Sequence, residues 1–147
     1  MWPQEHFVTL ICLLRNAGYK PVMIGAGESD RSVTESINQK LDEPIPNFCD
    51  RMELEQLAYL FCKALFYVGN DSGPMHLASA CDLPAIALFG PSEEKFWSPL
   101  SSKTLMLRGE QSCEPACRRG NDCQVNHRCL RSISPLKVFE KVQAYFD

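Results

Sequence analysis

Hydrophobic positions along the 147 residues change their period in a regular order. Phe7, Leu10, Ile11 and Leu14 recur at helical spacing, which predicts a helix over residues 3–17 that Gly18 terminates. Pro21-Val22-Met23-Ile24-Gly25 is a short apolar run and reads as a strand. A polar helix then opens at Gly27-Glu28-Ser29-Asp30 and runs to about Leu41 through Val33 and Ile37. Ile45 to Cys49 reads as a weak strand that Pro44 and Pro46 confine to an edge or an irregular piece. Glu53 to Lys63 is helical, with Leu54, Leu57, Ala58 and Phe61 on one face. Strands at 65–69 and 85–89 flank a helix at 74–81, and Thr104 to Leu107 forms a last strand. A terminal helix begins at Ser134-Pro135 and carries Val138, Val142 and Phe146.

Repeated strand–helix pairs predict an α/β fold, a Rossmann-like doubly wound parallel sheet with helices on both faces. Ligands of such sheets sit outside the carboxyl ends of the strands. Three loops meet that condition, Gly25–Glu28, Gly69–His76 and Gly90–Glu94, and all three carry glycine and small polar residues. The chain starts on a helix without the strand that should precede it, so at least one upstream strand is expected to be missing.

The second loop, Gly69-Asn70-Asp71-Ser72-Gly73-Pro74-Met75-His76-Leu77, is the most informative. Pro74 suits the first turn of a helix, with Gly73 or Ser72 as its cap. Free N–H groups and the positive end of the helix dipole then face one point, which makes an anion site. Asp71, Ser72 and His76 add hydrogen-bonding side chains beside it. The competing reading is an ordinary strand–glycine–helix junction, with His76 as a packed or capping residue.

Composition narrows the classes. Hydrophobic residues make up 45% and charged residues 22%, ordinary for a globular domain. A net charge of −3 argues against a nucleic-acid binder, which would show a basic stripe. The first residues carry neither a basic region nor a signal core, so a cytoplasmic, reduced setting is expected. Of eight cysteines, Cys12, Cys49, Cys62 and Cys81 lie in or beside apolar patterns and are expected in the core. Cys113, Cys117, Cys123 and Cys129, with His127 among them, form a late Cys-rich loop over 113–131. The spacing is looser than in a paired knuckle, which favours free thiols or disulfides for this cluster, with a structural zinc site as the alternative. Arg118, Arg119, Arg128 and Arg131 make the same stretch basic, either as a solvated face or as a lean toward an anionic acceptor or membrane surface.

Several blocks in the right order resemble the C-terminal half of glycosyltransferase family 9, the ADP-heptose:lipopolysaccharide heptosyltransferases. They are Trp2-Pro3, Met23-Ile24-Gly25-Ala26-Gly27-Glu28, Met52-Glu53-Leu54-Glu55-Gln56-Leu57-Ala58, the GNDSGPMHLASA stretch, and Leu88-Phe89-Gly90-Pro91-Ser92. The tail from Cys113 through Ile133-Ser134-Pro135 is similar to heptosyltransferase II-like members. The resemblance implies one domain of a GT-B enzyme, residues 1–147 being the domain that binds the nucleotide sugar. It places the acceptor-binding domain and the general base outside this chain; Asp82, Glu93 and Glu94 are poor candidates for that base.

The resemblance also implies roles. Asp71, Ser72, Gly73, Met75 and His76 belong to the loop that holds the donor diphosphate and sugar. Met52 lies against adenine, or is simply a helix-start hydrophobe. Glu28 accepts hydrogen bonds from ribose hydroxyls, or is a carboxylate favoured by the helix dipole. Gly25 lets the nucleotide approach the backbone, or is a plain turn glycine. Ser92 and Glu94 line the same rim or are only solvated. No Asp-x-Asp pair occurs, which fits a transferase that needs no metal. The expected partners are an ADP-sugar donor and a lipid A–core acceptor, with peripheral association at the cytoplasmic face of the inner membrane as a further reading. Two other classes stay open: a nucleotide-sugar-binding module without transferase activity, and a Cys-stapled interaction domain.

Overall fold

The structure, a computed structural model, describes residues 1–90, 101–109, 123 and 127–146. Its elements in chain order are α1 (Gln4–Asn16), α2 (Glu28–Lys40), α3 (Leu54–Lys63), β1 (Tyr67–Asn70), α4 (Gly73–Ala80), β2 (Ala85–Phe89), β3 (Thr104–Arg108), α5 (Arg128–Arg131) and α6 (Pro135–Phe146). They fall into two compact units. One comprises Met1–Trp2 with Leu57–Ile133, and the other Pro3–Gln56 with Ser134–Asp147.

The first unit is built on a three-stranded parallel sheet in the order β1-β2-β3. Tyr67 pairs with Ala85 and Asn70 with Leu88; Ala85 pairs with Thr104 and Phe89 with Arg108. β2 is central and buried at every position, as its unbroken apolar run requires. α4 connects β1 to β2 and packs on both. Its Met75 is fully buried in a cluster with Ala87 and Phe89, and Tyr67 closes that cluster from the side. The short α5 packs on β2.

In the second unit α1 packs against α2 and α6. Ile11, Met23, Ile37, Leu41 and Ile45 form its core, flanked by Phe7, Val8 and Val33. α1 ends as its sequence predicts: Gly18 is left-handed at φ 89, its N–H donates to Arg15 O, and Tyr19 N–H donates to Leu14 O.

The expected strands at 21–25 and 45–49 are reduced to one parallel bridge, Met23 with Asn47. Met23 N–H donates to Pro46 O and Phe48 N–H returns to Met23 O, but prolines at 44 and 46 have no N–H to extend the ladder. The strand expected from Leu65 begins at Tyr67, and Leu65 is exposed. Cys49 is buried, but Cys12 and Cys62 are exposed and Cys81 is half-buried. Cys12 lies off the Leu10–Ile11–Leu14 stripe that faces the core, so the apolar neighbourhood in sequence was not a buried one in space.

Candidate functional site

The β1–α4 junction carries the motif that the sequence singles out. Asn70 ends β1, and its Oδ1 accepts the backbone N–H of Trp2 at 2.8 Å. The Trp2 indole is almost wholly buried and donates through Nε1 to Ile133 O at 2.9 Å. One contact distant in sequence therefore reaches the end of β1, and a second anchors the tryptophan that makes it. Asp71 N–H donates to Leu88 O on the neighbouring strand at 3.4 Å. Ser72 stands at the N-cap position of α4 in extended backbone, yet its side chain makes no capping bond. Its hydroxyl turns back and donates to Asn70 O at 3.2 Å. Pro74 occupies the first turn, as expected, and no acidic residue lies in that turn.

The N–H groups of Ser72 and Gly73 have no hydrogen-bond partner among the described residues. Ser72, Gly73 and His76 are exposed and Asp71 is half-buried. A Cβ placed on Gly73 would meet nothing within 4 Å, and its backbone is not left-handed. The fold itself does not demand glycine at this position, so the bare backbone is open to close approach by a ligand. Met75 is a correction: its side chain has no exposure and its N–H donates to Ser72 O at 3.0 Å. It anchors α4 in the core and offers no surface to a ligand.

The remaining expected site residues belong to the other unit. Gly25, Ala26 and Gly27 lead into α2, with Gly27 at φ 85 in the N-cap position. Two N–H groups of this loop are occupied. Ala26 donates to Asp30 Oδ2 at 3.1 Å and Gly27 to Asp50 Oδ1 at 2.7 Å. Asp50 N–H returns to Gly25 O at 3.1 Å. Asp50 is itself left-handed at φ 54, a conformation that aspartate tolerates better than most residues. Gly27 and Arg31 together hold its carboxyl below the usual carboxylate range. Arg31 reaches Asp50 Oδ2 through Nε at 3.2 Å and Nη2 at 2.7 Å. Its Nη1 also stands 3.5 Å from Glu28 Oε2. Glu28 is exposed, while Met52 is half-buried ahead of α3. Asp50 and Arg31 were not among the expected site residues. A left-handed aspartate in a loop, paired with an arginine on a distant helix, leaves no periodic signal.

Ser92, Glu93, Glu94, Cys113, Cys117, Arg118 and Arg119 lie outside the described residues. Of the late cluster, Cys123 and Cys129 are half-buried, and Cys123 Sγ accepts His127 N–H at 3.1 Å. Among the described residues no three His, Cys, Asp or Glu side chains are grouped so as to hold a metal ion. Asp82 pairs with Lys103 and is exposed. No helix among the described residues is long and apolar enough to cross a membrane.

Comparison with known proteins gives this geometry a family. Residues 1–127 match the model of glycosyltransferase family 9 (heptosyltransferase). Lipopolysaccharide heptosyltransferase 2 of Salmonella typhimurium is 34% identical over 97% of this chain, which spans 42% of that protein. Lipooligosaccharide heptosyltransferase 2 of Haemophilus influenzae is 32% identical over 96% of the chain and 42% of its own length. The solved structure of E. coli ADP-heptose LPS heptosyltransferase II superposes with a TM-score of 0.83 at 30% identity, covering 98% of this chain and 41% of that one. The E. coli heptosyltransferase WaaC, solved with ADP, shares the fold at a TM-score of 0.75 and 21% identity, over 98% of this chain and 39% of that one. The chain thus spans less than half the length of these relatives, and it belongs to glycosyltransferase family 9, the heptosyltransferases.

Proposed function

We propose that this chain binds the nucleotide-sugar donor of a heptosyltransferase, an ADP-heptose-like molecule, for transfer of heptose to the lipopolysaccharide inner core. The observation that carries the reading is the start of α4. Ser72 and Gly73 present unpartnered N–H groups, the first turn holds no acid, and this surface lies in the stretch that matches the family. The diphosphate would be received there by backbone N–H groups and the helix dipole. Asp71 and His76 would contact the sugar and phosphate beside them. Met52 would lie against the adenine, Glu28 would accept from the ribose hydroxyls, and Gly25 would leave room for the nucleotide.

In this reading the reaction is displacement at the anomeric carbon. The acceptor hydroxyl forms the new C–O bond as the bond to the diphosphate oxygen breaks, and the nucleoside diphosphate departs with the electron pair. Negative charge grows on the leaving oxygen, where the α4 N–H groups are preorganised to stabilise it. No metal is required by that scheme. The base that takes the acceptor's proton is assigned outside this chain, as is the surface that binds the acceptor. Any association with the inner membrane would come through that acceptor.

Calorimetric titration of ADP, with UDP and GDP as controls, tests the reading in the wild type and in the Asp71→Ala and His76→Ala variants. ADP-selective binding that both variants weaken is the expected result. Equal affinity for the three nucleotides, or ADP binding untouched by both substitutions, would overturn it.

A further inference from the structure

Arg31 stands between two carboxylates and is shared unequally. Two of its nitrogens donate to Asp50 Oδ2, at 3.2 and 2.7 Å, whereas Glu28 is reached only at 3.5 Å. Asp50 is held firmly for an exposed residue. Its Oδ1 accepts from Gly27 N–H and its own N–H donates to Gly25 O, so two backbone bonds tie it to the loop that precedes Glu28. The Glu28 side chain is 87% exposed and has its oxygens turned to solvent apart from that long contact.

We infer that Asp50 is a positioning residue: by holding the Arg31 fork it keeps Arg31 from closing on Glu28, and so leaves the Glu28 carboxylate open to the ribose hydroxyls of the donor nucleotide. The inference rests on the donor-site reading above, which assigns the ribose to Glu28. Glu28 and Arg31 are three apart on one helix face, a spacing at which carboxylate and guanidinium attract. A fork-to-carboxylate pair occupies the lone pairs that a hydroxyl would otherwise use. Asp50 offers Arg31 a better partner because it is already fixed by backbone. The competition persists through neutral pH, since Gly27 N–H and then Arg31 lower the Asp50 carboxyl, and Asp50 raises the Arg31 guanidinium, away from neutrality.

The test is the ratio of affinities for ADP and 2′,3′-dideoxy-ADP, measured by calorimetry in four proteins: wild type, Glu28→Gln, Asp50→Asn, and Asp50→Asn combined with Arg31→Gln. Asparagine accepts the left-handed backbone, so the single Asp50 variant keeps its fold. Wild type should prefer ADP by roughly tenfold or more, the usual scale for hydrogen bonds to a charged acceptor. Glu28→Gln and Asp50→Asn should each bring the ratio close to one. The double variant should recover the preference, because no guanidinium remains to close on Glu28. An unchanged ratio in Asp50→Asn, or no recovery in the double variant, overturns the inference, as does a wild type that binds ADP without preferring it to the dideoxy form. A wild type that binds no ADP counts instead against the donor-site reading itself.

Discussion

The two glycine-rich loops that lead into α2 and α4 look alike in sequence and differ in what their backbones are free to do. Before α2, the N–H groups of Ala26 and Gly27 are consumed by Asp30 and Asp50. Glu28 and Asp30 add two acids in the first turn. The dipole there is already compensated by carboxylates, and an anion would be repelled. Before α4, Ser72 and Gly73 keep their N–H groups open and the first turn has no acid. The same local architecture therefore gives two loops of different character, which the proposed function assigns to ribose hydroxyls and to phosphate. Side chains brought in from elsewhere in the chain decide which is which, more than the glycines do.

The largest expected effect comes from removing the support under the α4 loop. Trp2→Ala deletes a fully buried indole and its bond to Ile133 O, and should cost about 3–5 kcal/mol in chemical denaturation, the range for large aromatic truncations. It should weaken ADP binding beyond what the stability loss explains, since the buried indole anchors the stretch of backbone whose N–H donates to Asn70 Oδ1 at the end of β1. A loss below about 1 kcal/mol would mean that the tie to β1 is dispensable.

The α2 loop should respond to acid. The Asp50 carboxyl is held below its ordinary value near 3.8, by Gly27 N–H first and Arg31 next. Its stabilising contribution is therefore complete above that ordinary value and disappears as pH falls through the lowered one. The Gly27 amide resonance followed by NMR should titrate with a midpoint below 3.8, and Arg31→Gln should move that midpoint upward. A midpoint at or above the ordinary value would break the contrast between the loops.

Ser72→Ala should have the smallest effect. A serine that caps a helix typically contributes about 1 kcal/mol, but Ser72 makes no capping bond and donates to Asn70 O instead. Thermal unfolding should register a loss of less than about 0.5 kcal/mol, the ordinary scale for exposed substitutions. A full cap-sized loss would show that Ser72 engages the α4 N–H groups and competes with any ligand there.

Much of this was legible in the chain. The helical period of Phe7 to Leu14 and the unbroken apolar run of β2 identify their elements directly, because burial repeats with the geometry of the element. The β1–α4 junction announces itself through Pro74 and its small neighbours. Met75 was misleading: it belongs to the motif in sequence, yet helical geometry turns it inward while His76 beside it faces out. The strands at 21–25 and 45–49 have strand-like composition but lack the N–H groups for a full ladder. The Asp50–Arg31 pairing had no signature at all, since it joins residues whose proximity is a product of the fold. The four-residue α5 is a single turn, too short for any period to register.

The most direct test of the contrast is an amide NMR titration with inorganic pyrophosphate, which carries the diphosphate charge without base or ribose. The account predicts saturable shifts at Ser72 and Gly73 with Ala26, Gly27 and Glu28 unmoved. Shifts at the α2 loop with Ser72 and Gly73 silent would contradict it.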